Sequence, residues 1–221
     1  MTTAMRHYSL DDLAARIVRC FPKMDLLGQK LSLELYRLLA EGQPVAHETL
    51  AQRLGASLEI VDRTVDGWPG VFSDAQRRIV GYWGLSISAA YASPHRFILD
   101  GPELSGWCAW DTLFLPQLLG QTVDVESTSP ATKETVRLRV TPQRVHRVEP
   151  AGATMSILLP DANEVEKNVM ASFCHFIYFF PSREAGERWV AQYPRTFLLS
   201  VHEAHLLGRL KNVAQYPNLL R

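Results

Sequence analysis

The chain has 221 residues, 47% of them hydrophobic, with 23 basic and 23 acidic side chains. That is enough apolar sequence for one large domain or two small ones with a buried core, and it excludes intrinsic disorder. A formal net charge of zero lacks the basic excess that phosphate binding requires, so no nucleic-acid partner is expected.

Met1 to His7 carry no apolar core of signal-peptide length, and acids follow at Asp11 and Asp12. No apolar run approaches the roughly 20 residues needed to span a bilayer. The expectation is a cytoplasmic protein with no membrane partner. Ser9 is placed to cap a helix over Asp11 to Val18, and Leu31 to Leu39 form a second helix stopped by Gly42 and Pro44. His47 to Leu54 predicts a third, ended by Gly55. Ser57 caps a fourth, whose apolar face is Ile60, Val61, Thr64 and Val65. Two apolar segments, Val71-Phe72 and Ile79 to Tyr82, predict a hairpin, completing a winged-helix outline over residues 1–82.

From about residue 83 the pattern turns β-rich, so residues 83–221 are read as a second unit and the class as α+β. Strands are predicted at Arg96 to Leu99, Thr122 to Val125, Thr135 to Val140, Met155 to Leu159, Phe176 to Phe180 and Phe197 to Val201. Trp107 to Leu119 predicts a buried helix closed by Gly120. Ser182 to Gln192 and Glu203 to Leu210 predict two more.

Three cysteines, Cys20, Cys108 and Cys174, cannot all pair within the chain and are expected as free thiols. Cys108 and Asp111 stand three apart, a spacing that on a helix sets thiol and carboxyl side by side. Trp107, Trp110, Leu113 and Phe114 surround them, and a carboxyl desolvated there becomes a proton donor near neutrality. Taken alone, the pair reads first as a core thiol beside a polar anchor or helix cap. Cys174 precedes an apolar strand and alone reads as structural. His175 beside it faces away on a strand, but on a turn it would stand near the thiol. Cys20 has no partner motif and reads as structural.

Two further patterns resolve to structural readings. His202-Glu203-Ala204-His205 sets its histidines at i, i+3, not the i, i+4 of a zinc-protease helix. The predicted recognition helix carries Glu59, Asp62 and Asp66 against Arg63, a charge that repels phosphate; Arg77-Arg78 in the wing is a small counterweight.

Trp107-Cys108-Ala109-Trp110-Asp111-Thr112-Leu113 and Ser172-Phe173-Cys174 resemble the two catalytic segments of the organomercurial (alkylmercury) lyases. Val148 to Gly152, Ser156 to Pro160, Ser200 to Ala204 and Leu38 to Val45 are similar to the family as well. The likeness runs from about residue 30 to about residue 210.

The resemblance implies an N-terminal winged-helix-like domain and a catalytic domain on a mixed, largely antiparallel sheet. It implies Cys108 and Cys174 as mercury ligands and Asp111 as proton donor beside the metal. Two departures stand out. Many relatives have a further cysteine where this chain has His175, and some have one where it has Ser129.

The chemistry implied suits those residue types. Mercury is soft and thiolate is the softest side-chain ligand. Asp111 would accept a thiol proton as mercury binds, Cys174 would add a second sulfur, and Asp111 would return the proton to the leaving carbon. The products would be a hydrocarbon and Hg(II), with no cofactor. Small thiols or a mercuric reductase are the expected acceptors. A metal-responsive winged-helix regulator and a non-catalytic mercury-binding relative are the rival readings; retention of Asp111 speaks against the latter.

Overall fold

Most of the helices begin where a side chain supplies a cap. In the computed structural model, which describes residues 9–220 apart from residues 88 and 92, the Ser9 hydroxyl accepts from the Asp12 amide and opens α1 (Leu10–Val18). Asp25 caps α2 (Leu26–Leu39), which therefore starts one turn ahead of the leucine cluster. α3 (His47–Leu54) ends at Gly55 with φ +61°, and Ser57 caps α4 (Leu58–Asp66). The hairpin of β1 (Val71–Ser73) and β2 (Ile79–Tyr82) completes the wing.

The wing continues into the main sheet. β2 pairs with β3 (Leu85–Ile87), and β3 pairs with β5 (Glu103–Gly106). The sheet then extends through β4 (His95–Ile98), β6 (Val123–Thr128), β7 (Thr135–Val140) and β8 (Val145–Glu149) in the order β1-β2-β3-β5-β4-β6-β7-β8. β9 (Thr154–Leu158) is buried along its whole length, between β10 (Phe179–Phe180) and β11 (Thr196–Ser200) in a second sheet. Every pairing among the described residues is antiparallel, the purer case of the largely antiparallel expectation.

β6 and β7 show why alternation was readable. Val123, Val125, Val136, Leu138 and Val140 face the core. The intervening Asp124 and Glu126 lie opposite Arg139 and Arg137 and pair with them at 3.3 and 3.1 Å. Each such exposed pair contributes only about 0.2–1 kcal/mol, so the buried face sets the register.

Six elements depart from expectation. β3, β5 and β8 were not predicted, because each is short or bounded by polar residues. Nor was α6 (Ala162–Ser172), capped by Asp161 and interrupted at Asn168 (φ −164°, ψ 91°). The predicted strand from Phe176 narrows to β10, and Cys174–Phe176 form a 3-10 turn instead. The helix predicted from Trp107 starts only at Asp111, as α5 (Asp111–Leu119).

α7 (Arg183–Val190) and α8 (Val201–Gln215) complete the chain's helices among the described residues. α8 packs along α1 and α5, and its approach to α5 is close. A Cβ on Gly208 would lie 2.7 Å from that of Phe114. The Ser32 hydroxyl bonds to the phenols of Tyr82 and Tyr216 at 2.9 and 2.7 Å, tying α2, the wing and the C-terminal segment into one core.

Candidate active site

Two chain segments meet under the wing. The first is the bend from Trp107 to Trp110, between β5 and α5. Its backbone is held by Trp107 N donating to Gly84 O at 3.0 Å, and its indole by donation to Ser86 Oγ at 2.6 Å. Phe72 of the wing stacks on the same indole at 4.6 Å. Trp110 Nε1 donates to Ala204 O at 2.9 Å, so α8 holds the far end of the bend.

The second segment is the turn after α6. Ala109 N donates to Ile177 O at 3.2 Å, which laces the two segments together. Ser156 of β9 clamps the turn's exit, its hydroxyl donating to Phe176 O at 2.8 Å and accepting from Tyr178 N at 3.0 Å. Phe173 meets Trp110 edge-on at 6.2 Å.

Side-chain ligand atoms of Cys108, Asp111 and Cys174 consequently lie within 4.8 Å of one another, all three residues buried. The three-residue spacing works differently from the helical expectation. Cys108 sits in the bend, Asp111 is the first residue of α5, and its carboxylate turns back to accept from Cys108 N at 2.6 Å. An acid at that position also favours the helix N-terminus.

Burial dominates the electrostatics. It raises Asp111 from 3.8 to about 7, against opposing hydrogen bonds from Cys108 and the nearby ammonium of Lys211. Burial likewise lifts the Cys108 thiol well above its ordinary value, with contributions from Cys174 and Asp111. At Cys174 the hydrogen bond with Cys108 works downward, yet burial and Asp111 leave the thiol raised. The site therefore holds neutral thiols beside a carboxyl poised between its two forms. A thiophilic cation entering it would displace thiol protons, and Asp111 is the group within reach to take one.

The Asp111 shift carries a stability signature. A carboxyl raised on folding stabilises the native state below about pH 3.8, and that contribution is lost as pH rises through about 7. The full difference is on the order of 4 kcal/mol. Asp111→Asn keeps the acceptor for Cys108 N and removes the titration. The variant is expected to gain roughly 2–4 kcal/mol over the parent between pH 4 and pH 8. Urea unfolding at the two pH values measures this; equal stability differences at both would rule it out.

Other candidates from the sequence fall outside the cluster. His175 is on a turn, as the alternative required, but its side chain is exposed. Ser129 is buried after β6 with its hydroxyl unpartnered. Ser200 and Glu203 form a capping box at the start of α8, and His205 is buried with a 3.4 Å contact to Thr141 O, so that histidine pair is structural. On α4, Asp62 pairs with His47 at 2.6 Å and Asp66 with Arg77 at 3.4 Å, which engages one of the wing's two arginines.

Three contributors escaped the sequence reading. Gly84, at φ +98°, lies against Asp111 so closely that a Cβ there would sit 2.5 Å from Oδ1. Lys211 is fully buried, its ammonium 3.6 Å from the centre of the Phe114 ring and bonded to Gln215 Oε1 at 3.2 Å. Burial depresses it to about 7, against the pull of Asp111. Its signal was the spacing Ala204, Gly208, Lys211, Gln215, one stripe of α8, which the predicted end at Leu210 cut off. Cys20, read as structural, lines an apolar cavity that Asp111 and Cys174 also line.

Comparison with known proteins identifies the family of the chain. Residues 89–211 match the family model for alkylmercury lyase, and residues 24–83 match that for the helix-turn-helix domain of alkylmercury lyase. An alkylmercury lyase of Staphylococcus epidermidis is 38% identical over 206 residues, covering 91% of this chain and 90% of that protein. One of Bacillus cereus is 39% identical over 176 residues, covering 80% and 78%. The crystal structure of the mercury-bound form of MerB2 superposes with a TM-score of 0.71 at 23% identity, over 92% of this chain and 97% of that one, which supports the fold. No helix among the described residues is long and apolar enough to cross a membrane.

Proposed function

Since this chain belongs to the alkylmercury lyase family, we propose that it cleaves the carbon–mercury bond of alkyl- and arylmercury compounds by protonolysis. Cys108 and Cys174 are the mercury ligands and Asp111 the proton carrier. The observation that supports this most is the convergence of two sulfurs and one carboxylate within 4.8 Å in a buried site. Passive mercury binding would need the sulfurs alone.

The steps balance in protons. R–Hg–X enters, one thiol forms a sulfur–mercury bond, and its proton departs with X. The second thiol passes its proton to the Asp111 carboxylate as it too bonds to mercury. Extra electron density on mercury weakens the carbon bond, and Asp111 delivers its proton to the carbon as that bond breaks. R–H leaves, and Hg(II) stays between two thiolates. A carboxyl near pH 7 is matched to this double duty, being able to accept and to donate at the working pH. The apolar enclosure keeps water from competing for the proton carrier.

No resident cofactor enters the scheme; mercury is the substrate. Small thiols or a mercuric reductase would then take Hg(II) from the cysteine pair, and the reaction would run in the cytoplasm, where such thiols are abundant. The expected behaviour of Asp111→Ala separates binding from cleavage. The variant should still capture phenylmercury stoichiometrically while its benzene release falls about a hundredfold or more, the scale of a lost general acid. Benzene measured by gas chromatography with excess thiol tests this. Release at the parent rate would remove Asp111 from the reaction.

A further inference from the structure

Lys211 is a buried cation that the reaction scheme leaves unused. It lies on α8 with no exposed surface. Its ammonium stands 3.6 Å from the centre of the Phe114 ring, with the rings of Phe21 and Trp110 at 4.9 and 5.9 Å. Phe21 and Trp110 line the apolar cavity beside the cluster, and Trp110 directly precedes Asp111. Among the described residues the ammonium has no carboxylate in ion-pair contact; it donates to the neutral amide of Gln215 at 3.2 Å. The aromatic faces favour a cation there, and Asp111 and Lys211 each favour the charged form of the other. A lysine kept in such a place for packing alone costs stability that an apolar side chain of similar volume would not.

The charge of the site changes during the proposed reaction. The first sulfur–mercury bond can form with the carboxyl protonated: R–Hg⁺ and one thiolate cancel, and the site is neutral. The second sulfur needs the carboxylate, because Asp111 is the group within reach of its thiol proton. From there on mercury, both sulfurs and the carboxyl together carry one net negative charge. It is present with R–Hg⁺, two thiolates and the protonated acid, and again with Hg(II), two thiolates and the carboxylate once R–H has left. A net charge enclosed by apolar side chains is destabilised unless an opposite one lies close. We infer that Lys211 is the counter-charge of this stage, a positioning residue that balances the site through the second sulfur–mercury bond and carbon–mercury cleavage. The inference rests on the lyase reading above and adds to it a residue that touches no reacting atom.

Two consequences separate this role from packing. An opposite unit charge several ångströms away in a protein interior is worth about ten- to hundredfold in rate. The neutral one-sulfur adduct gains none of it, so loss of the charge spares capture of the mercurial and slows its cleavage. Removing the ammonium also removes the cost of burying it. A neutral side chain at position 211 therefore makes the protein more stable and less active. A lysine that served only packing would be missed in stability first.

The test compares the parent with Lys211→Met, Lys211→Gln and Lys211→Arg on methylmercury with excess thiol, reading hydrocarbon release by gas chromatography. Lys211→Met should raise the melting temperature by about 2–8 °C. It should lower kcat about ten- to hundredfold while KM and the stoichiometry of mercurial capture stay within about threefold of the parent. Lys211→Gln is the second neutral variant, should methionine disturb α8, and is expected to lose kcat alike. Lys211→Arg keeps the charge and should hold kcat within about threefold of the parent. A parent that releases no hydrocarbon would sink the lyase reading and this inference with it. With an active parent, three results overturn the counter-charge alone: kcat within threefold in a folded neutral variant, equal losses in folded methionine and arginine variants, or a lowered melting temperature with kcat and KM impaired together.

Discussion

Replacing Cys174 with serine should abolish turnover, by about a thousandfold or more, while the protein still folds and still binds mercurial through Cys108. The loss follows from ligand chemistry. A hydroxyl is a hard donor that stays protonated near neutrality, so it neither bonds to mercury as a thiolate does nor supplies the second push on the carbon–mercury bond. Removing one member of a set that acts as a unit costs nearly as much as removing the whole set. The change is small in volume, and the turn that carries residue 174 is held from outside by Ser156 and by the Ala109–Ile177 bond. Cys108→Ser should be equally inactive by the same ligand argument and should still fold, since the Asp111 carboxylate bonds to the residue 108 amide and not only to its thiol. Hydrocarbon release with excess thiol, beside mercury stoichiometry on the isolated protein, measures both effects. Turnover within tenfold of the parent in either variant would end the two-thiolate scheme.

Gly84→Ala should be nearly as damaging without touching any reacting group. A methyl there would stand 2.5 Å from Oδ1 and 2.6 Å from Cγ of Asp111, on a backbone at φ +98° that side chains rarely adopt. The strain alone is worth about 1–3 kcal/mol. Neither party yields easily. Gly84 O receives the Trp107 amide, and Asp111 sits in the bend that Trp107 anchors. The carboxyl must therefore rotate away from the cysteines, and displacement of a catalytic group by about 1 Å costs on the order of a hundredfold in rate. The expected result is a protein with a lowered melting temperature that captures mercurial at both thiols and releases hydrocarbon at about 1% of the parent rate. Activity within threefold of the parent would show that the β2–β3 turn does not position Asp111.

Gly84 also explains the N-terminal unit. The face of α4 carries Glu59 exposed and Asp62 and Asp66 in ion pairs, with Arg63 as its one exposed cation. The wing hairpin is spliced into the main sheet through β3, and it supplies Trp83, Gly84 and the Phe72–Trp107 stack to the site.

Much of this molecule was legible locally. Caps at Ser9 and Ser57, the stop at Gly55, and the strict alternation of β7 are short-range signals, and they matched the observed elements closely. α6 escaped because its periodicity breaks at Asn168. Trp107 to Trp110 looked helical because it is apolar and adjoins a real helix, but the ring of Trp107 is drawn instead towards Ser86 and Phe72. Such partners lie more than twenty residues away in sequence, beyond any local period.

The sequence by itself determined the residue types of the site and their order: a thiol, a carboxyl three residues on, and a second thiol 63 residues after that. Residue identity carries softness, acidity and size, and these survive without coordinates. Only the tertiary structure decided that the carboxyl would lose its water, that a glycine from the wing would press against it, that Lys211 would be buried nearby, and that an apolar cavity would open beside Asp111 and Cys174. Desolvation and cavity size belong to no single residue. They arise when segments far apart in the chain close around one point.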